Sequence, residues 1–445
     1  MKISVIIPVW NGATVLAACL NALKKYSNPE QTEIICVDNA SADDSAALVR
    51  TQHPDVQLIS QPVNLGFAGG VNAGMAAANG ELFVLLNQDC LVSSGWLESL
   101  TATFAANPTC GIAGAVLEDD AGAINHAGAL ITRPLGYGEH IQKPPTQDTA
   151  VDYVTGAIFA ISRPVWERIG GMDEDFYPAY YEESDYCYRA RRHGFETFLS
   201  AGAHGRHLFS SRAWQRDPIR HTANQHQSRY RFICKQFVDR ELLAFVEAET
   251  SAAAHETSFH EALGRVLAAS YTLDHLDEIL HRRHTDGNNA LSPAFRRVLA
   301  VGFTDIYRTA LQRTEQLALP QPVEGAPAND FATWQAQSAM LHQEIQQLHM
   351  RMTTQWQVID ELYTKITGHG IGATPHSSLQ NRLRQAYHIA TGQHIALLVN
   401  VVHELSQHQE LLQALEHRMN LLETQLTLQE YRRRLHDQLV IYAHR

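Results

Sequence analysis

The sequence predicts an α/β fold, a mostly parallel Rossmann-like sheet covered on both faces, followed by an all-α C-terminal region. Three observations lead there. Short continuous apolar runs alternate with segments whose apolar residues recur at helical spacing through the N-terminal stretch. The runs are unbroken instead of alternating, which marks strands buried on both faces. From about residue 225 onward β-branched runs give way to helical periodicity.

The elements follow in order. Ile3 to Val9, β-branched and carrying Pro8, predicts a first strand, and Ala13 to Lys25 a first helix. Glu33 to Val37 predicts a second strand and Asp43 to Gln52 a second helix. Val56 to Ile59 reads as a third strand, Gly70 to Ala78 as a helix and Glu81 to Leu86 as a fourth strand. In such sheets ligands bind beyond the carboxyl ends of the strands. Those ends are polar here: Asn11 after the first, Asp38 and Asn39 after the second, Asn64 after the third, and Asn87, Gln88 and Asp89 in "VLLNQDCLV" after the fourth. One such end is an ordinary turn. Four converging on one edge point to a binding site.

Composition narrows the function. A chain of 445 residues with 45% hydrophobic and 18% charged content is globular and large enough for two or three domains. A formal net charge of −12 argues against a sequence-independent nucleic-acid binder. An anionic ligand stays admissible, because one local cation decides such a site. The six cysteines are scattered without metal spacing and read as reduced thiols of a cytoplasmic protein. No apolar run approaches the roughly 18 residues of a membrane span, so any membrane contact is expected to be peripheral, at the inner face.

"VIIPVWNG", "ICVDNASADDS", "PVNLGFAGGVNAG" and "LLNQDCLV", in this order and spacing, resemble the inverting family 2 glycosyltransferases, and within them the rhamnosyltransferase-like branch. The likeness continues through "GAIFAISRPVWERIGGMDEDFYPAYYEESDYCYRARRHG" to His207. It implies a GT-A nucleotide-diphospho-sugar transferase fold over residues 1–240. It also implies a UDP- or dTDP-sugar donor, with dTDP-rhamnose as one candidate, and a surface polysaccharide or lipid-linked glycan as acceptor.

The resemblance also assigns residues. Asp89 matches the family's metal-binding Asp, with Asn87 standing where the motif usually has its first acid. A carboxylate there would hold Mg²⁺ or Mn²⁺ against the diphosphate leaving group. His207 aligns with a histidine that can complete the metal site, although any single histidine among 24 is as readily a surface residue. Asp38 is similar to the residue that accepts the pyrimidine N3–H, and Pro8, Val9 and Asn11 would wall the base pocket. Helix capping competes for this segment, with Ser41 or Asp43 as caps. "NLGFAGGVNAG" lacks the GxGxxG register and reads as a tight loop in which Gly66, Gly69 and Gly70 let backbone approach the nucleotide, with Asn64, Asn72 and Gln88 on the same edge. The aligned catalytic base is Glu183, where the family usually has Asp, and Glu182 is the reserve. Asp185 and Arg189 fit a solvated intrahelical pair. Trp166 and Trp214 read as packing residues.

Downstream, short amphipathic helices are expected over 241–320, a Pro- and Gly-bearing linker over 321–330, and two heptad series over 331–445. The heptads predict a helical hairpin or coiled coil that makes a homo-oligomer or docks a protein partner. Two rival functions stay open at this level. One is a non-catalytic GT-A scaffold of a glycan-assembly complex. The other is a nucleotidyltransferase, which would want cations in the loop after the first strand that "PVWNGAT" lacks.

Overall fold

Four apolar runs open the chain and pair in parallel. β1 (Ile3–Val9), β2 (Thr32–Asp38), β3 (Gln57–Ser60) and β4 (Leu82–Leu86) stand in the order β3-β2-β1-β4, linked by α1 (Ala13–Lys25), α2 (Ser45–Gln52) and α3 (Gly66–Ala77). A parallel pair needs a crossover long enough to return the chain to the same edge, and each helix supplies one. The chain steps outward from β1 to β3, then returns to the far side of β1. The order therefore reverses between β1 and β4, and a crevice opens at their carboxyl ends. This computed structural model describes residues 1–208 and 218–317. The predicted linker, both heptad series and Trp214 lie outside the described residues.

Beyond β4 the sheet becomes mixed. The chain continues through β5 (Cys90–Val92), α4 (Trp96–Ala106), β6 (Cys110–Glu118), β7 (Ile124–His126), β8 (Ala129–Ile131), β9 (Gly138–His140) and β10 (Thr149–Val151). It then forms β11 (Ile158–Ser162), α5 (Arg163–Ile169), a 3₁₀ turn (Glu174–Phe176), α6 (Glu182–Arg192) and β12 (Glu196–His207). β11 runs antiparallel between β4 and β6, and β12 is parallel to β6, so the long strands other than β11 share one direction. Alternate residues of the central strands enter opposite cores. Ile6, Phe83 and Leu85 meet Val71, Met75 and Tyr186 on one face. Val5, Ile7, Val84 and Leu86 meet Leu16, Leu20 and Trp96 on the other. Burial on both faces is why these strands read as continuous apolar runs. Trp166 packs edge-on against Phe83, as a packing residue should.

Two expectations need correction. α3 begins at Gly66, so Gly69 and Gly70 are helical residues and not a nucleotide-facing loop. Glycine is a poor helix former, but tertiary packing overrides propensity here. A Cβ on Gly70 would stand 2.7 Å from Asn39 Nδ2, so the bare backbone is what lets α3 sit against the end of β2. The helices after residue 217 are also longer than expected. α7 (Pro218–Gln236), α8 (Asp239–Ala254), α9 (Phe259–Thr285) and α10 (Pro293–Gln316) include helices of 27 and 24 residues. α9 starts where the Ser258 hydroxyl accepts the Glu261 N–H. Gly264, inside α9, gives room to Thr222 of α7.

These helices are built onto the sheet. Tyr230, Phe232, Ile233, Phe245, Leu276, Ile279 and Phe303 belong to the same apolar core as α3 and α6. A buried ionic cluster reinforces the join. The Lys235 ammonium lies 2.5 Å from Asp173, 2.9 Å from Asp185 and 2.9 Å from Asp286, tying α7 to the 3₁₀ turn, to α6 and to the end of α9. Three carboxylates this close resemble a metal site. A lysine occupies its centre, so the cluster is an anchor.

Candidate active site

The β4 run ends because Asn87–Asp89 turns the chain back on itself, with the Cys90 N–H donating to the Asn87 carbonyl. The chain leaves as β5, which pairs antiparallel with the end of β12 and sets His207 opposite Cys90. That pairing brings together two residues separated by more than a hundred positions. His207 Nε2 lies 3.2 Å from Asp89 Oδ1, and Asn87 Nδ2 lies 3.4 Å from the same nitrogen. Cys90 completes the cluster, but burial, followed by the charge of Asp89, pushes its thiol far above the usual range. A neutral thiol is no ligand for a hard cation. The donors left are a carboxylate oxygen and an imidazole nitrogen, which suit Mn²⁺ or Mg²⁺ with phosphate oxygens completing the shell.

The crevice edge is organised by hydrogen bonds between loops. Val9 pairs with Asp38 across β1 and β2, and Asn39 N–H donates to the Val9 carbonyl. The buried Asp38 accepts Ser41 N–H at 3.2 Å, while Asp43 accepts the Ala13 and Ser45 amides at the starts of α1 and α2. Capping is thus the work of Asp43, and Asp38 stays at the strand end. Asn11, at φ +49°, donates its N–H to Ser41 and accepts from Ala42, which fastens the β1 loop to the β2 loop. Asn64 accepts the Gly66 N–H at 2.8 Å in the turn that starts α3.

Two predicted donor residues are occupied elsewhere. Gln88 accepts the Trp10 N–H and donates to the Trp10 carbonyl, at 3.0 and 3.1 Å, behaving as an extra strand partner at the end of β1. Asn72 accepts the Met172 N–H and donates to the Met172 carbonyl and to Glu174. It thus faces the loop after α5.

Glu182 and Glu183 open α6 behind Tyr180 and Tyr181, whose φ values of +90° and +67° are unusual for bulky residues. Each glutamate has a buried Oε2 without a hydrogen-bond partner among the described residues. Burial, and then the neighbouring charge of Glu183, raises Glu182 well above the carboxylate range. Burial raises Glu183 too, offset in part by backbone amides, including that of Gly156. Two adjacent buried acids do not ionise together readily. Only Glu183 of the two lines the cavity. Asp185, by contrast, is bonded to Arg189 at 2.9 Å and to Lys235, so the pair expected to be solvated is buried.

The cavity holds about 700 Å³ and is lined by Glu183 and His207 together, with Tyr153, Thr155, Tyr180 and His126. α7 and α9 close its far side through His221, Gln225, His226, Arg229 and Glu261. Sequence reading missed this wall. Its residues come from β7, β9, α7 and α9 at no fixed spacing, and 24 histidines conceal the few that matter.

Residues 4–170 match the family model described as Glycosyl transferase family 2. The N-terminal domain belongs to that family. Curated relatives agree with it. The chain is 30% identical over 174 residues to the low-salt glycan biosynthesis hexosyltransferase Agl10 of Haloferax volcanii, covering 36% of this chain and 53% of that protein. It is 23% identical over 228 residues to the N-acetylglucosaminyl-diphospho-decaprenol L-rhamnosyltransferase of Mycobacterium tuberculosis, covering 45% of this chain and 74% of that protein. The chain spans 23% to 53% of the length of three of the curated relatives it matches. Among solved structures, GalNAc-T7 with UDP, GalNAc and Mn²⁺ aligns at a TM-score of 0.47 and 15% identity, over 57% of this chain and 51% of that one. The family 2 domain is thus followed by helices that share its core, and no helix among the described residues is long and apolar enough to cross a membrane.

Proposed function

We propose that the chain is a metal-dependent inverting glycosyltransferase. It moves a hexose or deoxyhexose from a UDP- or dTDP-sugar to a hydroxyl of a surface glycan or lipid-linked glycan. The observation that carries this reading is that a half-buried carboxylate with no cation beside it among the described residues, Glu183, and the Asp89–His207 corner meet one cavity. Asp38 accepts the pyrimidine N3–H at the end of β2, with Pro8 and Val9 as the wall of the base pocket. Asn11 and Asn64 hold the surrounding turns. Asp89 and His207 would hold Mg²⁺ or Mn²⁺, which would supply positive charge for the departing diphosphate. Glu183 accepts the acceptor's hydroxyl proton as that oxygen bonds to the anomeric carbon and the bond from carbon to nucleotide oxygen breaks. A single displacement inverts the centre and needs one base. The relatives' names, hexosyl and rhamnosyl transferases, support a hexose or deoxyhexose donor.

The test is Asp89→Ala, followed by UDP titration calorimetry and donor turnover. Mn²⁺ should tighten UDP binding to the wild type and not to the variant, and turnover should vanish while stability changes by no more than about 0.5 kcal/mol. Equal UDP binding by the wild type in Mn²⁺ and in chelator would remove the metal from the proposal.

A further inference from the structure

The far wall of the cavity carries charge in a particular form. Arg229 is fully buried, bonded to Glu249 at 2.6 Å and to the Leu135 carbonyl, with its guanidinium 4.0 Å from the centroid of the Tyr137 ring. Arg265 reaches Glu249 at 3.0 Å, Glu256 at 2.6 Å and Glu261 at 3.7 Å. His226 sits 2.9 Å from Glu261, and burial holds its imidazole down at about 4, so it is neutral near pH 7. Of these five charged groups only Arg229 and Glu261 line the cavity, one of each sign, and the Arg229 guanidinium is engaged by Glu249 behind it. No other arginine or lysine lines the cavity among the described residues.

The remaining groups are uncharged. His126 Nε2 accepts the Thr155 N–H at 3.2 Å, which places the ring proton on Nδ1, and that atom is buried without a partner among the described residues. Burial holds His126 at about 3, so it stays a neutral donor on the cavity lining. Tyr180 contacts His221 Nδ1 at 3.1 Å, and the Tyr137, Tyr153, Tyr180 and Tyr181 rings supply flat apolar faces beside polar tips. Aliphatic lining is confined to Leu117.

We propose that the wall formed by α7, α9, Tyr137 and Tyr180 is the acceptor subsite, and that it selects an uncharged sugar ring over a ring that itself bears phosphate, any lipid phosphate of the acceptor lying outside it. A ring with apolar faces and hydroxyl edges matches tyrosine faces interleaved with neutral donors and acceptors. A phosphate on that ring would meet the Glu261 carboxylate and a single guanidinium, Arg229, already engaged by Glu249, and would lose its hydration without a cation to replace it. The inference rests on the proposed glycosyl transfer and adds the class of acceptor.

The experiment uses the full chain with UDP and Mn²⁺ on a printed array of neutral bacterial oligosaccharides and their phosphorylated counterparts. The UDP Kd is measured on the same samples. Retention should be confined to neutral glycans. His221→Ala and Gln225→Ala, both on the face of α7 that lines the cavity, should each weaken it tenfold or more with the UDP Kd unchanged. Retention of phosphorylated glycans alone, retention of none, or retention untouched by both variants overturns the assignment. Absence of UDP binding strikes the donor reading instead, so the two failures are distinguishable.

Discussion

The first turn of α6 puts carboxylates of similar chemistry to opposite uses. Asp185 joins Asp173 and Asp286 around Lys235. Burial alone would raise Asp173 and Asp185, but the charges of Lys235 with Arg231 for the first, and Lys235 with Arg189 for the second, hold both below the usual carboxylate range. Less than one turn away, Glu182 and Glu183 have no cation beside them among the described residues, and both are raised. Burial sets the stakes and the partner sets the sign. An acid matched by a cation anchors a helix, whereas an acid left unmatched keeps an affinity for protons that a base can use. The anchor also ties α7 to the helix that carries Glu183, so the helices of 218–316 would support the proposed base.

The largest effect should come from removing the cation. Lys235→Met removes the one cation shared by three buried carboxylates, leaving Asp173 to Arg231 and Asp185 to Arg189, and breaking a buried pair in this way costs about 3–5 kcal/mol. Chemical denaturation should show that loss at pH 7, and it should shrink below about pH 4 as the acids protonate. A variant as stable as wild type at pH 7 would mean that the three acids are not ionised together.

A smaller, pH-dependent effect should separate the other pair. Glu182 binds its proton more tightly folded than unfolded, so the stability it contributes is present below its unfolded pKa and is lost as pH rises through the raised folded value. Glu182→Gln removes that loss. Its melting temperature should match wild type near pH 5 and exceed it increasingly toward pH 9. Asp173 and Asp185 act in the opposite direction, because their lowered values make stability fall as pH falls. A Glu182→Gln advantage that grew toward acid would reverse the assignment.

The same contrast explains what could be read from the chain. The β1 and α1 bounds match their sequence patterns because both cores select alternate residues of one apolar run. Asp38 and Asp89 were legible as strand-end acids, since a parallel sheet presents its strand ends along one edge. His207 needed the β5–β12 pairing to meet Asp89, and only the family resemblance pointed to it. The bonds of Asn72 and Gln88 to Met172 and Trp10 were not legible, because an amide on a polar edge says nothing about which backbone it will pair with. The role of Lys235 and the far wall of the cavity were invisible: both depend on how α7 and α9 dock, and no local spacing encodes a contact made across 50 or more residues.

The pH dependence of transfer at saturating donor, for wild type, Glu183→Gln and Glu182→Gln, tests most directly whether the unmatched carboxylate is the base. The wild-type rate should rise with pH to a plateau whose midpoint lies above the ordinary glutamate range, since Glu183 must lose its proton first. Glu183→Gln should lower the plateau by about 10²–10⁴-fold and abolish that midpoint, with the UDP Kd unchanged. Glu182→Gln should keep most of the plateau and leave the midpoint near the wild-type one, because Glu182, raised further by the charge of Glu183, still holds its proton while Glu183 titrates. A full loss in Glu182→Gln with Glu183→Gln still active would contradict the account and move the base by one residue.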